Sequence, residues 1–136
     1  MIQIGLTHSE LFKNFMEVEN HDLYIDLHND FKCDSINFQL DKSELTLVFT
    51  IHSDIANRFN QVDIVFKNLI IQSFSLKDKD DDPDKWTIND IYRGRFEKET
   101  DILAEISDDG RYYYYINFYQ EYSFELFAKE VTANIF

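Results

Sequence analysis

The sequence predicts a mainly β domain at the α+β boundary: an antiparallel, sandwich-like sheet structure with one helix at its N-terminal end. Three observations predict it. Beyond residue 22, apolar side chains recur at every second position, the period of a half-buried strand. The runs are joined by short connections, one of which holds an Asp-Gly pair, Asp109-Gly110. Before residue 20 the apolar spacing is instead helical. With 136 residues, 13 of them Phe and 8 Tyr, the chain fits a single domain over 1–136 and can fill a core.

The helix is read from Leu11, Phe12, Phe15 and Met16, which share one face. Thr7 or Ser9 caps it, and Glu10 stands three after Thr7 as in a capping box. Leu23, Ile25 and Leu27 then alternate with Asp22, Tyr24, Asp26 and His28, which predicts a first strand. Ile36, Phe38 and Leu40 lead through Asp41-Lys42-Ser43-Glu44 into Leu45, Leu47, Phe49 and Ile51, a predicted hairpin. Val62, Ile64 and Phe66 predict another strand, and Leu69 to Leu76 a further one.

Lys77 to Asp84 is a charged run with the only proline, Pro83, and reads as a solvated loop. Thr87 to Tyr92 fits either a helical turn capped by Thr87 or the start of a strand. Asp109-Gly110 suits the two positive φ angles of a type I′ turn, joining a strand through Ile102, Ala104 and Ile106 to one through Tyr112–Tyr119. That register sets Ser107 opposite Tyr112 and Ile106 opposite Tyr113. A last strand runs from Ser123 to Val131, with Phe124, Leu126 and Ala128 on one face and Glu125, Phe127 and Lys129 on the other.

Composition excludes several functions. The net charge of −13 is spread over both halves of the chain and repels phosphate backbones and anionic membranes. No nucleic-acid or membrane partner is therefore expected. The longest apolar runs fall far short of the roughly 20 residues that a membrane helix needs. The N-terminal stretch lacks a secretory pattern, and the one cysteine, Cys33, permits no internal disulfide. A cytoplasmic location is the expectation.

Candidate chemistry is sparse. The three glycines are isolated, so no phosphate-cradling loop exists, and no serine has the glycine neighbours of a nucleophile elbow. Cys33 follows Lys32, but no His/Asn signature accompanies it, so it reads as a small apolar packing group. Asp22, Asp26 and His28 share one face of the predicted first strand, and their oxygen and imidazole groups suit zinc, manganese or non-haem iron. Yet Asp22 and Asp26 would stand roughly 13 Å apart along a strand. A polar, solvated face is the simpler reading, with no metal or cofactor expected. Asp78, Asp80, Asp82 and Asp84 mimic the start of a calcium loop, but Pro83 replaces the required Gly and Asn89 the closing Glu. Glu97, Glu99 and Asp101 alternate as on an exposed strand face.

Aromatic residues carry more information. Tyr112 and Tyr114 share one strand face, and tyrosine serves interfaces well because it is bulky and rigid with a polar tip. Tyr112 and Tyr114, with Asp80, Asp81 and Asp82 of the acidic run, are the expected interaction surface. In size, charge and aromatic content the chain resembles the small, acidic, β-rich immunity proteins that bacteria make against their own toxins. The resemblance implies a non-catalytic domain that binds a protein partner, a basic one by charge. Two other functions compete: a small metal-dependent enzyme using Asp22, Asp26 and His28, and a homo-oligomer subunit with Tyr112 and Tyr114 at its interface.

Overall fold

A computed structural model describes residues 1–8, 25–75, 86–118 and 122–136. The predicted helix around Leu11–Met16, Asp22, and the acidic run with Asp80, Asp81 and Asp82 lie outside the described residues. Within them the chain forms strands and no helix. In chain order the strands are β1 (Ile2–Gly5), β2 (Phe31–Gln39), β3 (Glu44–Ile51), β4 (Gln61–Lys67), β5 (Ile70–Ser75) and β6 (Ile88–Gly94). The remaining strands are β7 (Phe96–Glu97), β8 (Leu103–Ala104), β9 (Tyr112–Phe118), β10 (Ser123–Ala128) and β11 (Glu130–Ile135).

Two antiparallel sheets carry the fold. One has five strands in the order β1-β11-β4-β3-β2, the other four in the order β5-β10-β9-β6; β7 and β8 form a small ribbon. The inner faces of the sheets share one apolar cluster. Leu45, Leu47 and Phe49 of β3 and Val62, Ile64 and Phe66 of β4 enter it from the first sheet. Tyr114, Ile116 and Phe118 of β9 and Phe124, Leu126 and Ala128 of β10 enter from the second. Phe66 meets Tyr114 edge-to-face between the sheets, with centroids 5.5 Å apart. Burying alternate side chains from both sheets is how a sandwich forms its core.

Several expectations are met. Thr87 to Tyr92 resolves as strand, since β6 begins at Ile88. The β2–β3 hairpin exists, with Ile36 opposite Leu47 and Phe38 opposite Leu45. A register shift between Cys33 and Ser35 moves its buried anchors to Phe31 and Cys33 and leaves Phe38 at the open edge.

Others need correction. The strand predicted over 22–28 is not one in its described part: Ile25 to Asp30 is coil and turn, and β2 begins only at Phe31. The alternation there arises because Ile25 and Leu27 plug the end of the core. The strand from Ser123 to Val131 is two strands: exposed Lys129 and Glu130 mark where the chain leaves the second sheet for the first. Burial then resumes one position out of phase, at Val131, Ala133 and Ile135.

The Asp109-Gly110 turn is placed correctly but is not type I′. Gly110 alone has positive φ, at 83°, whereas type I′ requires it at Asp109 as well. The Gly110 amide donates to the Ser107 carbonyl at 3.0 Å, and the Ser107 amide to the Arg111 carbonyl at 2.7 Å. This is a three-residue loop closed by a left-handed glycine. One loop residue more than predicted shifts the pairing by one, so Ile106 bridges Tyr112, not Tyr113. Nor does the 102–106 segment pair along β9: Leu103–Ala104 pairs with Phe96–Glu97, and the neighbours of β9 are β6 and β10. The loop from Lys98 to Ile102 repeats the same geometry, with Asp101 in the left-handed position at φ 59°. Glu97, Glu99 and Asp101 therefore do not share a strand face.

Candidate functional site: the outer face of the four-stranded sheet

The pairings of β5, β6, β9 and β10 lay out the second sheet's outer face as three rows. The first row crosses Asp90, Asn117, Ser123 and Ser75. The second crosses Tyr92, Tyr115, Glu125 and Ser73. The third crosses Gly94, Tyr113, Phe127 and Ile70. These rows contain two carboxylates, three tyrosines and no lysine or arginine.

The aromatic rings touch one another. Tyr92 and Tyr115 lie 5.3 Å apart at 47°. Phe127 meets Tyr113 at 5.5 Å and Phe96 at 4.9 Å, both edge-on. Edge-on and tilted contacts are the favoured arrangements of aromatic pairs, so the rings support one another across the face. Tyr92 is 43 % exposed, and Ile70 borders the patch at 51 %. In the β7–β8 ribbon Phe96 pairs with Ala104; Leu103, which pairs with Glu97, and the preceding Ile102 are exposed.

Glu125 is the charged centre. Burial raises the pKa of the Tyr113 phenol above its ordinary value, reinforced by the neighbouring Glu125 carboxylate. Tyr92 is shifted the same way, first by desolvation, then by Tyr115, Asp90 and Glu125. Both phenols are thus neutral at physiological pH.

Those residues singled out from the sequence that the structure describes lie elsewhere. Tyr114 is fully buried under Phe66 and cannot touch a partner in the folded protein. Of the expected Tyr112/Tyr114 surface, Tyr114 therefore belongs to the core. Burial pushes the Tyr114 phenol up to about 12, against the opposing pull of Arg93. Tyr112 is half-buried and already occupied: the Arg93 guanidinium sits 4.9 Å over its ring, and His8 meets its edge. Asp80, Asp81 and Asp82 lie outside the described residues.

Asp26 and His28 hold the chain together at the described end of the metal candidate. One Asp26 carboxylate oxygen accepts from the His28 and Asn29 amides at 3.1 and 3.0 Å, and the other from the Asn29 side chain at 2.6 Å. His28 Nδ1 lies 2.6 Å from the Ile88 carbonyl, tying this turn to β6. Such bonds cap a turn at a buried position. Among the described residues no group of three or more metal-ligating side chains converges. Cys33 is buried, and desolvation chiefly pushes its thiol up to about 12, which suits packing and not nucleophilic attack.

Sequence reasoning passed over Tyr92, Tyr113, Tyr115, Glu125 and Phe127. One signal for them was present: Phe127 falls in the outward phase of β10, beside Glu125, where a solvated strand ordinarily holds a polar residue. No protein-family model, curated protein or solved structure matches this chain.

Proposed function

We propose that this protein is a non-catalytic interaction domain, of the immunity or inhibitor kind, that docks a basic protein on the outer face of its four-stranded sheet. The observation that carries the reading is the composition of that face: contiguous tyrosine and phenylalanine rings around two carboxylates, with no cation in the rows. Aromatic platforms supply the lasting contacts of interfaces, while charge selects and steers the partner. A net charge of −13 gives that steering field.

Rates of association and dissociation test this, measured at several salt concentrations with a partner purified from the native host. Association is expected to slow as salt rises, since screening shortens the field to roughly 8 Å at physiological strength. Tyr115→Ala and Phe127→Ala are expected to speed dissociation. Salt-independent association, with both variants dissociating like the parent protein, would overturn the proposal.

A homo-oligomer is the second reading, favoured by the exposed Ile102, Leu103 and Ile106. Sedimentation separates the two, since an oligomer requires concentration-dependent mass without any partner.

A further inference from the structure

We infer that the Tyr92–Tyr115–Glu125 row receives an arginine side chain of the docked protein. The inference rests on reading this face as the docking surface and names the chemistry of its anchor. Directly paired strand residues stand about 5 Å apart, so the Glu125 carboxylate projects beside the Tyr115 ring, with Tyr92 on the far side of it. Tyr113, in the next row, is the diagonal neighbour of Glu125 across the β9–β10 pair. No lysine or arginine among the described residues forms an ion pair with Glu125.

A half-buried carboxylate among aromatic rings favours a guanidinium over an ammonium. Guanidinium is flat and weakly hydrated, stacks on rings, and forks two donors to one carboxylate. Asp90 in the neighbouring row adds to the negative potential. The fold already sets one guanidinium over a tyrosine ring, where Arg93 lies over Tyr112 and donates to the Thr7 carbonyl. Lysine lacks the planar stacking surface and strips water less readily.

The test is an NMR titration of the whole protein with acetyl-arginine-amide, acetyl-lysine-amide and acetyl-citrulline-amide. The expected result is saturable shifts centred on the Tyr92, Tyr115 and Glu125 amides with the arginine probe, at about millimolar affinity. Citrulline, which keeps the shape but not the charge, is expected to leave them unmoved, and lysine to bind several-fold more weakly. Glu125→Gln is expected to weaken the arginine probe about tenfold; Tyr92→Leu, at a more exposed position, repeats the test should Glu125→Gln disturb folding. Equal shifts with citrulline, or shifts scattered over the acidic surface and unchanged in both variants, would overturn the inference. Lysine binding as tightly as arginine would overturn the guanidinium assignment. If the inference fails while Phe127→Ala still speeds release of the partner, the docking surface stands; if Phe127→Ala and Tyr115→Ala are also silent, the docking reading falls with it.

Discussion

The Tyr113 ring lies across the bare backbone of Gly94: a β-carbon at that glycine would stand 3.2 Å from Tyr113 Cδ1 and 3.0 Å from Tyr92 Cε2. Gly94 has no positive φ, so a side chain there is crowded by the rings and not strained by the backbone. Gly94→Val should therefore spread Tyr92 and Tyr113 while the strand persists. The expected outcome is a changed near-ultraviolet tyrosine dichroism with far-ultraviolet strand signal retained. Loss of both signals together would show that the glycine is needed by the fold itself.

Gly110 presents the opposite case. Nothing lies within 4 Å of a β-carbon built there, but φ is +83°. Gly110→Val should cost about 1 kcal/mol or more through backbone strain alone, lowering the melting temperature by about 4 °C. Gly110→Asn should lose much less, because asparagine tolerates left-handed backbone. Equal melting temperatures for the two variants would contradict this account.

Among the described residues the buried Tyr114 hydroxyl has no hydrogen-bond partner. Removing it while keeping the ring should leave stability unchanged or raise it, since an unsatisfied polar group costs about 1–3 kcal/mol. Tyr114→Phe is thus expected to melt at or above the parent temperature. Tyr114→Ala, which empties the ring's place in the core, should cost about 3–5 kcal/mol. Denaturant midpoints measure both.

Asp26 accepts three hydrogen bonds at a buried turn, and its replacement strands those donors. Asp26→Ala is expected to destabilise by about 1–3 kcal/mol. Zinc or EDTA should leave the melting temperature of the parent protein where it was. A chelator-induced drop would instead make Asp26 and its neighbours ligands.

High pH should unfold the protein progressively. Cys33 titrates at about 12 in the folded chain against an ordinary 9.0, and Tyr114 at about 12 against 10.0. Below pH 9 both states hold these protons and stability is complete. Above it the unfolded chain releases them first, so stability falls between 9 and 12 for Cys33 and between 10 and 12 for Tyr114. Cys33→Ala and Tyr114→Phe should each flatten that decline in a chemical-denaturation series against pH. At neutral pH, Cys33 should react with iodoacetamide only as fast as the protein opens.

Period-two alternation by itself determined that the described chain is built of antiparallel strands, and located β3, β4, β5 and β9 to within a residue or two. Alternation is a local property of backbone pleating, so Leu45, Leu47 and Phe49 announce a half-buried strand wherever that strand sits in the fold. The Asp109-Gly110 pair likewise marked Gly110 as a turn residue, because glycine's tolerance of positive φ is a property of the residue itself. Only the tertiary structure decided which strands are neighbours and which face of β9 meets the core. Both faces of β9 are aromatic, Tyr112 and Tyr114 on one and Tyr113 and Tyr115 on the other, so apolar character could not choose between them. The choice fell to β4 on the opposing sheet, whose Phe66 covers Tyr114, and to β10, which sets Glu125 beside Tyr115. Those partners are distant in sequence, and a one-residue change in register exchanges every inward side chain for an outward one. The docking face is therefore a product of long-range pairing, whose register no local pattern in the tyrosine run specifies.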